Sequence, residues 1–112
     1  MGAFASRQVV LLSFPFSDLS AQKLRPALIL ANAGRGDWVL CQITSNPYAD
    51  SRAVALTASD FASGGLRRVS YARPNKLFTA HESLLRGVAG SLNTEAQTRV
   101  VEAVVALMRT GG

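Results

Sequence analysis

Up to residue 92 the chain is cut into short apolar runs separated by Gly, Pro and Asn turn signals, and only beyond Asn93 do apolar residues recur at helical spacing. That contrast confines the chain to short strands finished by one helix. Gln8 to Phe14, rich in Val and Leu and almost continuously apolar, reads as a strand buried on both faces. Pro15 limits further pairing, and the polar stretch Ser17 to Lys23 reads as a loop. Pro26 to Ala31 is a second strand, ended by the turn signal Asn32 to Gly36. Trp38 to Thr44 is a third, placing Val39, Cys41 and Ile43 on one face and Trp38, Leu40, Gln42 and Thr44 on the other.

Ser45-Asn46-Pro47 closes that strand, and Ala53 to Leu56 is a short fourth. Ser59 or Asp60 is a candidate cap for a single turn before Gly64-Gly65. Arg67 to Ala72 alternates weakly and meets a turn at Pro74-Asn75; Lys76 to Thr79 and Leu84 to Val88 are further short strands. Asn93 or Thr94 can cap the helix, and Thr94 with Gln97 fits the reciprocal capping pattern. Ala96, Val100, Val104, Leu107 and Met108 then form an apolar stripe, while Glu95, Arg99, Glu102 and Arg109 stay polar. The expected fold is mainly β (α+β): a small barrel or sandwich closed by a C-terminal amphipathic helix.

At 112 residues the expectation is one domain, residues 1–112, with enough chain to bury a core. An apolar fraction of 48% with 17% charged residues excludes a disordered chain. No apolar run reaches the roughly 18 residues of a membrane span, and no secretory signal is recognisable, so the expected compartment is the cytoplasm with no membrane partner. Cys41 is the single cysteine, which excludes an internal disulfide framework. The net charge is +5, and ten of the twelve cations are arginine, the side chain best suited to bidentate phosphate contact. Nucleic acid and acidic proteins are the leading partner classes; a plain solubility charge fits about as well on charge alone.

The chemistry available is narrow. One histidine (His81) and one distant cysteine cannot build a zinc site. No Gly-x-Ser-x-Gly elbow, phosphate-binding loop or dinucleotide fingerprint is present, and the acids are too scattered for a two-metal centre. No cofactor is expected. What remains is arginine beside hydroxyl and amide groups at strand ends, a set that binds and polarises phosphates.

Phe14-Pro15-Phe16-Ser17-Asp18-Leu19-Ser20, followed by Lys23-Leu24-Arg25-Pro26-Ala27-Leu28-Ile29-Leu30, resembles the opening of MazF/PemK-like toxins of type II toxin–antitoxin systems. Cys41 to Ser45, Asp60 to Leu66 and Ser70 to Thr79 continue the resemblance in order, from about Arg7 to the final helix. The resemblance implies an SH3-like, MazF-type barrel, a homodimer, and metal-independent cleavage of single-stranded RNA. That cleavage proceeds by attack of the ribose 2′-OH, giving 2′,3′-cyclic phosphate and 5′-OH ends. It also implies a small acidic antitoxin, with DNA contacted only indirectly through the antitoxin complex. By the same resemblance the catalytic residues fall on Arg25, Thr44 and Arg73. Ser45 beside Thr44, and Asn75, fall at matching positions; Ser20, Lys23, Gln42, Arg67 and Arg68 join them as RNA-binding candidates on their polar or charged side chains.

Asn75 departs from the pattern, because the PemK branch has an aspartate there and an amide cannot accept a proton as a carboxylate does. The branch's first-loop histidine is also missing, so a weakened or altered nuclease belongs among the expectations. Arg25 can stabilise a phosphorane and protonate the leaving oxygen, and Thr44 can donate its hydroxyl to a non-bridging oxygen. Without the resemblance, Arg25 would read as a surface cation and Thr44 as an ordinary strand residue. Arg67-Arg68 suit RNA phosphate, the antitoxin, or a solvated turn.

Trp38 and Phe14 are expected in the core, Phe16, Tyr48 and Tyr71 as stacking or packing residues, and His81 at the surface or in packing. Cys41 reads as a small buried hydrophobe. The alternative is a non-catalytic interaction protein: a nucleic-acid-binding module, or an inhibitor of a protein target such as DNA gyrase in the manner of CcdB-type barrels.

Overall fold

The computed structural model describes residues 4–13, 23–48 and 50–112. Among the described residues, seven strands form one antiparallel sheet: β1 (Gln8–Ser13), β2 (Leu24–Gly34), β3 (Asp37–Thr44), β4 (Val54–Leu56), β5 (Phe61–Gly64), β6 (Ser70–His81) and β7 (Gly87–Leu92). A helix, α1 (Thr94–Thr110), follows. The strands lie in the order β4-β6-β3-β2-β1-β7-β5. Helix α1 contacts both β4 and β6 near one edge and β7 near the other, so the sheet must curl around it into a half-barrel. Phe14, and the part of the expected loop from Ser17 to Gln22, lie outside the described residues.

Both faces of the central strands carry apolar layers, as the continuous run in β1 implied. Val9, Leu28, Cys41, Ile43, Leu56, Ala72 and Leu92 form one cluster with Ala96 and Val100 of α1. Val10, Leu12, Ala27, Ile29, Trp38, Leu40, Ala80 and Leu85 form the other, against which Phe4 and Phe78 pack. The expected alternation along β3 is therefore observed, with Cys41 fully buried and Trp38 in the second layer. Burial pushes the Cys41 thiol up to about 12, which keeps it protonated and unreactive.

Four expectations need correction. Strand β2 runs through Asn32 to Gly34, and Gly34 pairs with Asp37 across a two-residue turn. Arg35 and Gly36 both have positive φ, at 56° and 81°, which is the type I′ geometry that matches the twist of a tight hairpin. Second, the runs split at Pro74-Asn75 are one strand, β6. Its register passes from Leu77↔Cys41 to Ala72↔Ile43, so residues 73–76 face the single residue Gln42. Pro74 sits in that irregularity, where its missing N–H breaks no ladder bond.

Third, Gly64 is not a free turn but ends strand β5, which the sequence reading missed. A Cβ on Gly90 would stand 2.7 Å from Ser63 O and 2.7 Å from Gly65 N, so close backbone approach, not turn formation, selects glycine here. Fourth, Leu84 belongs to a short 3₁₀ turn (Glu82–Leu84) capped by His81, and the strand lies later, at Gly87–Leu92. His81 is exposed, and its Nδ1 accepts from Ser83 N–H.

The caps also shift. Thr57, not Ser59 or Asp60, precedes the turn at Ala58–Asp60, and Thr57 N–H donates to Asp60 Oδ2 at 2.8 Å. Asn93 caps α1 by accepting from Ala96 N–H at 2.8 Å, so Thr94 and Gln97 form no capping pair. Thr94 Oγ1 instead accepts from Arg7 Nη1. The helix ends at Gly111 in the left-handed conformation. Of the expected apolar stripe, Ala96 and Val100 are buried while Met108 is 65% exposed, because only the first half of α1 lies over the sheet.

Replacing Gly90 by Ala should cost about 1–3 kcal/mol, since backbone must move to admit the methyl, and a denaturant midpoint measures it. A second expectation concerns acid. The Thr57 N–H and then Arg99, 2.7 Å away, hold the Asp60 carboxyl below its ordinary value of 3.8. A depressed folded value contributes stability above pH 3.8 that is lost as pH falls through it. Asp60→Asn should therefore flatten the fall in Tm on acidification below about pH 4.

Candidate nucleic-acid interface

The ladder between β2 and β3 begins at Ala27↔Gln42, so Arg25 on β2 and Thr44 on β3 lie past its last pair. Arg25 is held from the other side, opposite Leu12 of β1. Where the two strands part, a groove of about 350 Å³ opens. Its cations are Lys23, Arg25, Arg67 and Arg68; its hydroxyls are Thr44, Ser45 and Ser70; among the described residues no carboxylate lines it. Four like charges on one small surface, with no counter-charge among the described residues of that lining, give it a positive potential suited to an anion with several negative groups.

Local hydrogen bonds set the polar groups. Thr44 Oγ1 accepts from Asn46 N–H at 3.1 Å, which leaves the hydroxyl proton free to donate. Ser70 is buried, and its Oγ donates to the Arg68 carbonyl at 3.1 Å, fixing the backbone that carries the two adjacent arginines. Arg25, Lys23, Arg67 and Arg68 are all exposed. The groove thus brings together Lys23, Arg25, Thr44, Ser45, Arg67 and Arg68, drawn from three separate parts of the chain.

The other expected site residues stand elsewhere. Gln42 is half-buried inside the ladder opposite Ala27, and it does not line the groove. Asn75 is exposed in the irregular part of β6. Arg73 is half-buried, with Nε 3.7 Å from Oδ2 of Asp50, a charge pair too long for a hydrogen bond. Ser20 lies outside the described residues. Tyr48 is 93% exposed and Tyr71 half-buried, while Phe16 also lies outside the described residues.

Asp50 is the residue that sequence reasoning missed. Its side chain is 1% exposed, Oδ1 accepts from Arg52 N–H at 2.8 Å, and its carbonyl accepts from Ala53 N–H. It is the only acid between Asp37 and Asp60, and that isolation in a polar loop is the signal that was available. Among the described residues no cluster of three or more His, Cys, Asp or Glu is placed to hold a metal ion, and no helix is long and apolar enough to cross a membrane. Removing the buried carboxylate takes away the counter-charge that Arg73 faces, so Asp50→Ala should destabilise the fold by about 3 kcal/mol, read from a urea titration.

The comparisons agree with this architecture. A family model described as PemK-like, MazF-like toxin of type II toxin-antitoxin system matches residues 5–108. No curated protein sequence matches the chain. Among solved structures, an endoribonuclease in complex with its cognate antitoxin from a Mycobacterial species superposes with a TM-score of 0.73 at 18% identity, covering 97% of this chain and 96% of that one. The Mycobacterium tuberculosis toxin MazF-mt6 gives 0.70 at 20% identity, over 92% and 97% of the two chains. A MazE-MazF structure from Deinococcus radiodurans gives 0.74 at 18% identity, over 96% and 98%. At such identities the structures speak for the fold, a curled antiparallel sheet with one C-terminal helix, and the family model speaks for membership. The chain belongs to the PemK-like, MazF-like toxin family of type II toxin–antitoxin systems.

Proposed function

We propose that this toxin is a metal-independent endoribonuclease that cleaves single-stranded RNA in the groove between β2 and β3. The observation that carries the reading is the lining itself, four cations and three hydroxyls with no carboxylate among the described residues. RNA supplies the matching chain of phosphates.

In this reading the 2′-oxygen attacks its own phosphorus, the 5′-oxygen leaves, and the products are a 2′,3′-cyclic phosphate and a 5′-OH. The guanidinium of Arg25 stabilises the extra charge of the phosphorane and donates the proton that the leaving oxygen requires. Thr44 donates its free hydroxyl proton to a non-bridging oxygen, and Lys23, Ser45, Arg67 and Arg68 hold the flanking phosphates. A guanidinium has no lone pair with which to accept a proton and Asn75 is an amide, so the proton of the 2′-OH passes to water, from which Arg25 regains the proton it gives to the leaving oxygen. The rate gain then rests on charge stabilisation, not on a strong base. Arg73 faces Asp50 as its counter-charge and does not line the groove, so its part is to hold β6 beside the site.

The active form is a homodimer. Val101 and Met108 on α1, exposed by 37% and 65%, leave apolar surface on the helix for a second copy. An acidic antitoxin segment competes with RNA for the same cations. Several of the structural relatives are complexes with an antitoxin or with MazE, which supports that partner.

In EDTA, the wild type should cut a long single-stranded RNA into products with cyclic phosphate ends, and Arg25→Ala should lower the rate by roughly 10²–10³-fold. A folded, antitoxin-free wild type that leaves the RNA intact would sink the reading in favour of a non-catalytic binder. Binding offers an independent check. Removing Arg67 and Arg68 together should weaken RNA affinity across sequences and reduce the slope of log K against log salt by about 0.7 per lost contact.

A further inference from the structure

Beside the cationic groove lies a second pocket, of about 190 Å³, whose walls include Leu56, Phe61, Leu66 and Val69. The two cavities share Leu66, Arg67 and Arg68, so they form one continuous surface with a charged half and an apolar half. We infer that the apolar half is a nucleobase pocket, which takes one base flanking the phosphate held in the groove and thereby sets base preference. The inference rests on the proposed RNA substrate and adds to it the site that reads sequence.

Two observations carry it. The walls suit a flat, largely apolar ring: Phe61 offers an aromatic side chain, and Val69 remains 48% exposed instead of folding into the core. The arginines at the boundary serve both halves, with a guanidinium able to hold a phosphate on one side and to cover a base on the other. A nucleotide has that same pairing of an anion with a planar ring.

The pocket is also held in shape before any ligand arrives. Thr57, Ala58 and Phe61 line one side, and that segment is tied to α1. Asn93 N–H donates to the Asp60 carbonyl at 2.8 Å, Asn93 Nδ2 donates to the Ser59 carbonyl at 3.1 Å, and Arg99 pairs with Asp60 at 2.7 Å. On the opposite side the Ser70 hydroxyl fixes the Arg68 backbone. A wall braced on both sides loses little freedom on binding, which is what selection between similar rings requires.

The test uses amide chemical shifts of the wild type, titrated separately with the four nucleoside 5′-monophosphates and with ribose 5-phosphate. At least one nucleotide should move the amides of Thr57, Ala58 and Val69 together with those of Thr44 and Ser45, whereas ribose 5-phosphate should move only the latter pair. Val69→Trp, at an exposed position, should fill the pocket and weaken that nucleotide by roughly 5- to 100-fold while leaving ribose 5-phosphate affinity as it was. Mapping of RNA ends should then show base preference lost at one position beside the cut.

Nucleotides that move only the groove amides, or a Val69→Trp variant with the wild-type base preference, would overturn the inference while leaving the nuclease standing. Amide shifts as described, in a protein that cuts no RNA, would support the pocket and remove the nuclease. An acidic peptide that moves Thr57 and Ala58 where no nucleotide does would also overturn it.

Discussion

An antiparallel sheet of seven strands with apolar residues on both faces cannot stand alone in water, and α1 is what covers one of those faces. Ala96 and Val100 enter the cluster built by Val9, Leu28, Cys41, Ile43, Leu56, Ala72 and Leu92, which come from six different strands. To bring all six onto two helical side chains the sheet has to curl, and its natural twist supplies the direction. The small size of Ala96 lets the helix approach closely, and Asn93 fixes where the helix begins. Curl, helix position and the anchoring of the 57–61 segment are therefore one constraint expressed three ways.

The groove follows from that curl. Strands β2 and β3 pair only from Ala27 and Gln42 onward, so their outer residues diverge at the rim. The loop before β6 then crosses the opening and delivers Leu66, Arg67 and Arg68 against Arg25 and Thr44. A rim of this kind can hold charge where the middle of the sheet cannot, because exposed guanidinium groups stay hydrated while their positions are set by buried backbone. Pairing of Arg25 with Leu12 and burial of Ser70 perform that positioning.

What the sequence disclosed, and what it concealed, divides along the range of the forces involved. Strand β3 was legible to the residue face, since its period-two pattern is written by burial on both sides. The helix start was legible because a capping side chain acts on the next turn. Gly64 misled, because a glycine demanded by close approach to Ala89 and Gly90 looks the same in sequence as one demanded by a turn. Pro74-Asn75 misled for a related reason: the local preference for a break is real, yet pairing with β3 on both sides carries the strand across it. Asp50 showed only its isolation in a polar loop and not its role, because its partner Arg73 lies on a distant strand. Of the candidate site, Arg25, Thr44 and Ser45 were reached through resemblance and Arg67 and Arg68 through their charge, while Ser70 was not singled out; no spacing rule brings positions 25, 44 and 67 together.

The arrangement of charge then separates two kinds of arginine. Arg73 and Arg99 each face an acid of the same chain, Asp50 and Asp60, and so are neutralised as pairs. Arg25, Arg67 and Arg68 share a groove with Lys23 and, among the described residues, with no carboxylate. A net charge of +5 spread evenly would favour solubility alone. Four of the twelve cations meet instead in this one groove, where together they present a field for outside anions to balance. Under the proposed function, RNA phosphates and the acidic side chains of an antitoxin answer that field by the same chemistry and compete for one groove.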